Sequence, residues 1–75
     1  MRVSYSVEPR YKTFIGREVV DHTEKAKFGT ITDVLKEGNL YWFVINDDFD
    51  VLANDCQEVI DMRMNKNYIR LALGA

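Results

Sequence analysis

The chain has 75 residues, 47% of them hydrophobic, with 10 basic against 12 acidic side chains and a net charge of −2. This length accommodates one domain, whose core must use nearly every large apolar residue. The charge balance excludes a strong positive field toward phosphates, and the apolar content excludes a disordered chain.

Residues 1–12 read as an N-terminal arm or edge strand, and residues 13–75 as the domain proper. In "VSYSV" apolar and polar residues alternate, which puts Val3, Tyr5 and Val7 on one side. Pro9 ends any pairing there, since it has no backbone N–H to give a ladder. "MRVSYSVEPRYK" has no long apolar segment after its charge, so neither a signal peptide nor a spanning helix is expected at this end. The longest apolar run, 40–45, is far too short to cross a membrane, and no membrane insertion is expected.

"FIGREVVDH" predicts a strand around Val19 and Val20, with Gly16 permitting a sharp bend before it. "TEKAK" is a charged loop. "FGTITDVL" predicts a second strand, in which Gly29 marks a bulge or a close backbone approach. "KEGNL" supplies a hairpin turn, with Gly38 and Asn39 suited to positive φ. "YWFVIND" is the third strand and "DFDVLA" a short fourth one across an acidic turn. Asn54 is placed to cap a short helical turn in "NDCQEVI", with Gln57 reaching back from three positions on. "YIRLAL" closes the chain in strict alternation, with Ile69, Leu71 and Leu73 on one face and Tyr68, Arg70 and Ala72 on the other. The fold class is therefore all-β: a single small barrel of about five short antiparallel strands, with one helical turn before the last. That order of elements is similar to SH3-like barrels.

The string "IGREVVDHTEKAKFGTITDVL" resembles the opening of PRC-barrel domains, on Ile15-Gly16, Val19, Asp21, Gly29, Ile31, Asp33 and Val34. "YWFVI" fits that family's central strand, and "DVLANDCQEVI" with "YIRLAL" its strand, turn and closing strand. The likeness spans residues 14–73. Two departures stand out: "HTEKAKF" lacks the family's usual glycine, and Ala53-Asn54 replaces a common proline. "FGTI" is also similar to the Gly-apolar element of KOW or Tudor-type barrels. The first resemblance implies a non-catalytic module that docks onto proteins or ribonucleoprotein assemblies. The second implies contact with nucleic acid, RNA polymerase or a ribosomal partner.

Alternation inside the aromatic strand separates two faces. Phe43 and Ile45 are assigned inward with Val19, Ile31, Ile69 and Leu71, which leaves Leu40, Trp42 and Val44 outside. Either the arm or the helical turn covers Trp42 and Val44, or these three residues form a partner-binding patch, tryptophan being enriched at interface hot spots. For nucleic acid the alternative set is Lys25, Lys27, Arg63, Lys66, Tyr68 and Arg70, cations with an aromatic ring for stacking; dispersed charge for solubility explains the same residues.

Cys56 is the only cysteine, so an intramolecular disulfide is impossible and a zinc site would lack its ligand set. A reducing cytoplasmic setting follows most simply. His22, Asp21 and Cys56 carry no sequence signature of a nucleophile with its base, and Cys56 reads as a small core residue. Asp47, Asp48 and Asp50 lack the glycine and ligand spacing of a calcium loop, and read as a solvated turn or an acidic surface for a basic partner. The expectation is a non-enzymatic, cofactor-free and metal-free adaptor or regulator with a protein partner, the nucleic-acid role as alternative and a homodimer left open. The brevity of the chain points toward a phage or bacterial accessory factor.

Overall fold

The computed structural model describes residues 2–21, 23, 26–63 and 65–71. Six strands make one sheet: β1 (Glu18–Val20), β2 (Lys27–Glu37), β3 (Leu40–Ile45), β4 (Phe49–Leu52), β5 (Cys56–Asp61) and β6 (Lys66–Leu71), in the order β4-β3-β2-β1-β6-β5. Every neighbouring pair is antiparallel except β1 with β6, which run parallel from Glu18↔Tyr68 to Val20↔Arg70. The expectation of five antiparallel strands thus becomes six strands with one parallel pair. The sheet is open, with β4 and β5 as its two edges. No helix among the described residues is long and apolar enough to cross a membrane.

The extra strand is β5, where a helical turn was expected. Only Ala53–Asp55 turn, as a 3-10 helix, and a six-pair ladder to β6 then takes over, from Cys56↔Leu71 to Asp61↔Lys66. The helical turn therefore precedes the penultimate strand. Asn54 does not cap it: its Oδ1 accepts the backbone N–H of Tyr41 at 3.1 Å. Tyr41 lies one residue before the β3–β4 ladder, which ends at Trp42↔Leu52. Asn54 thus supplies the next acceptor after the chain has turned away.

β2 is the bent strand that carries the sheet across the core. Two register shifts mark it. Val19 faces Gly29 and Val20 faces Lys27, leaving Phe28 extra; Ile31 faces Ile45 and Asp33 faces Val44, leaving Thr32 extra. Each bulge adds local bend and twist. The second also lets Ile31 and Val34, three apart, both point inward. Gly29 has φ +148°, and a Cβ there would lie 2.3 Å from Asn46 Nδ2. The close approach read from the sequence is therefore the Asn46 side chain, whose Oδ1 accepts Thr30 N–H at 3.0 Å. In the β2–β3 turn Gly38 alone takes positive φ, at +59°; Asn39 does not.

The six residues expected inside are all buried, joined by Val7, Val34 and Tyr41 in one apolar cluster. The arm docks: Val3 exchanges two backbone hydrogen bonds with Lys36, and Val7 is buried. Tyr5 does not share that side, since the chain turns between the two valines and leaves it 85% exposed. Pro9 opens a short helix, α1 (Pro9–Lys12), at its first position, where a missing N–H costs nothing. α1 brings Tyr11 face to face with Tyr41, centroids 3.8 Å apart, and the following turn sets Phe14 against Phe43 at 5.5 Å.

Candidate functional site

The face outside the core on β3 is formed as alternation predicts. Leu40 is 41% exposed, while Trp42 and Val44 are half-buried. Trp42 sits between Leu35 and Leu52 in register, and Val44 between Asp33 and Asp50. The Arg2 guanidinium lies 3.7 Å above the Trp42 ring centroid and also pairs with the Asp50 carboxylate. The N-terminal arm therefore covers Trp42, and Leu40 is left as the open end of that face.

The basic set is spread along the other half of the sheet. Lys27 and Arg70 flank Val20 across three strands, and Tyr68 lies between Glu18 and Val59. Lys27 Nζ is 3.4 Å from Glu18, Arg63 Nε is 3.5 Å from Asp61, and Lys66 pairs in register with Asp61. Carboxylates thus interleave these cations. Lys25 lies outside the described residues.

His22 also lies outside them. Asp21 Oδ1 accepts both the N–H and the hydroxyl of Thr23, the Asx-type contact that aspartate favours in turns. β6 runs between β1 and β5, so Asp21 and Cys56 are two strands apart, about 10 Å. The Cys56 thiol points at Leu52 O, 3.6 Å away. Burial, then the neighbouring Asp55 charge, raises its pKa from 9.0 to about 11. A thiol held in that form is not an activated nucleophile. The acidic hairpin is built for its turn: Asn46 and Asp47 both have φ +55°, and Asp47 N–H is received by Thr32 Oγ1 at 2.9 Å. Among the described residues no group of three His, Cys, Asp or Glu side chains could hold a metal ion.

One concavity went unread in the sequence. A pocket of about 220 Å³ opens beside the edge strand β5. Its apolar floor is made by Tyr11, Phe14, Phe43, Ala53, Cys56 and Ile69, and its rim is polar, with Asn54, Gln57 and Glu58. Glu58 receives a hydrogen bond from Arg17 at 2.5 Å, and the Arg17 guanidinium stands 4.8 Å over the Phe14 ring. The available signal was Pro9 at a helix start with Tyr11 and Phe14 three residues apart, which places both aromatics on the same side of one turn.

Fold and site together define a small all-β protein with one open sheet and an aromatic pocket at its edge. No protein-family model, curated protein or solved structure matches this chain.

Proposed function

We propose that the chain is a non-enzymatic protein-binding module, a small adaptor or regulator on an SH3-like barrel akin to PRC-barrel domains. The observation that carries this reading is β5 at the end of the sheet, with Gln57, Glu58 and Ile60 exposed and an aromatic-floored pocket beside it. An edge strand offers a row of backbone donors and acceptors, and a flanking pocket adds side-chain selectivity. The barrel reading is supported by the β2-β3-β4 meander, the 3-10 turn after it and the return of the chain to β1. The sheet edge is favoured over the patch of Leu40, Trp42 and Val44 expected from the sequence, because Arg2 already occupies the Trp42 ring face. A reducing cytoplasmic compartment suits its lone, partly buried thiol.

The test is photo-crosslinking in the native host, with benzoylphenylalanine placed at Ile60 or at Leu40. A discrete protein adduct from Ile60 is expected. Adducts with nucleic acid, or none from either position, would end the reading. A gel shift with mixed-sequence RNA and DNA at low salt is expected to show no complex. A complex that weakens steeply with salt would move the function to Lys27, Lys66, Tyr68 and Arg70.

A further inference from the structure

We propose that β5 accepts an extended, basic peptide segment of a partner as a seventh strand, with one large apolar side chain of that segment seated in the pocket floored by Tyr11, Phe14 and Phe43. This rests on the protein-binding reading and names the partner's chemistry. Among the described residues β6 is the only strand paired with β5, so the other long side of β5 has no strand partner there. The pocket is bounded by Cys56 and Glu58 on that strand and by Ala53 before it. Its volume, about 220 Å³, matches one large side chain rather than a drug-sized ligand, for which pockets begin at about 300 Å³.

Register sets the pattern of the segment. Cys56, Glu58 and Ile60 pair with Leu71, Ile69 and Asn67 and share the inward face. An added strand follows the same pleat, so its inward side chains recur about every 6.8 Å. When one fills the pocket, the inward side chain two residues along meets Ile60, which is 61% exposed. The segment therefore carries apolar residues at alternate positions.

Charge sets what lies between them. Residues 46–61 hold Asp47, Asp48, Asp50, Asp55, Glu58 and Asp61 and not one Lys or Arg. Arg2, Arg17 and Arg63 reach Asp50, Glu58 and Asp61 from outside that stretch. Asp47, Asp48 and Asp55 have no basic partner among the described residues. The unpaired acids thus lie in the turn before β4, at Asp47 and Asp48, and in the turn that leads into β5, at Asp55, where they attract a basic segment and repel phosphates. A second copy is disfavoured, since two β5 edges would set Asp55, Glu58 and Asp61 against their own kind.

The experiment is a nitrogen-15 NMR titration of the full chain with the synthetic peptide KLKFKLK, to about 1 mM. The control is KKLLFKK, of equal composition but without alternation. Amide shifts along residues 56–61 and at Phe14 and Phe43 are expected, weakening with salt, with the control at least about tenfold weaker. Ala53→Leu fills the pocket and Asp55→Lys reverses exposed charge; each should weaken binding about tenfold. If Ala53→Leu loses its folded spectrum, Ile60→Lys replaces it with the same expectation. No shift with KLKFKLK, equal binding of the control, or self-association through β5 in sedimentation would overturn the proposal. Shifts confined to Leu40, Trp42 and Val44 would overturn it while leaving the protein-binding reading intact. Shifts with an RNA oligonucleotide at Lys27, Lys66, Tyr68 and Arg70, and none with peptide, would remove both.

Discussion

Cys56 shows how one atom's surroundings decide its chemistry. Folding holds the thiol neutral, with the pKa raised from 9.0 to about 11 by burial first and Asp55 second. The unfolded chain therefore loses this proton first as pH rises. The contribution to stability is complete below pH 9 and falls away as pH climbs toward about 11. Cys56→Ala should flatten that part of the stability profile, measured by urea unfolding of both proteins across the window. Iodoacetamide should label native Cys56 far more slowly than the unfolded chain at neutral pH. At Trp42 the decisive neighbour is Arg2, stacked on the ring and tied to Asp50. Arg2→Ala should red-shift the tryptophan emission and cost about 0.5–1 kcal/mol. An unchanged spectrum would mean the arm does not cover the indole in solution. Trp42's place outside the core was legible from alternation. Its cover was not, because a cation forty positions away in sequence leaves no periodic trace.

Among the elements, β2 depends most on individual backbone positions. Gly29 combines positive φ with the Asn46 side chain in the space a Cβ would take. Asn46 cannot simply swing away, because its Oδ1 holds Thr30 N–H. Gly29→Ala should therefore cost about 2–4 kcal/mol, from backbone strain plus the broken hydrogen bond. A double-mutant cycle with Asn46→Ala should recover part of the loss; strict additivity would mean the two do not touch. Asn54→Ala, which orphans Tyr41 N–H, should cost about 1–3 kcal/mol. The strands around Val19, Ile31, Phe43 and Ile69 were readable because a half-buried ladder demands period two. β5 was not, because Asn54 and Gln57 mimic a capping box and only the pairing partner reveals the ladder. The pocket went unread for a related reason: Tyr11 and Phe14 are brought to Phe43 and Ile69 by tertiary packing alone.

At the scale of the molecule, a small core sets the margin. Its cluster holds valine, isoleucine, leucine and two aromatics, with no buried polar or charged residue among those described. A chain of this length has roughly 4–11 kcal/mol of stability in hand. Ile45→Ala, at a fully enclosed position, should remove about 2–5 kcal/mol and leave the protein marginal by thermal unfolding. The concentration of acids in residues 46–61 should also be felt. Asp48→Lys, on the exposed hairpin turn, should raise stability by a few tenths of a kcal/mol at low salt, and by less as salt is added. The parallel pair of β1 with β6 joins Glu18 to Tyr68 across most of the chain. During synthesis, then, the amino-terminal half has to wait: β1 lacks its second neighbour until the ribosome has released the closing strand, and nascent chains stalled before Ile69 should remain open to protease.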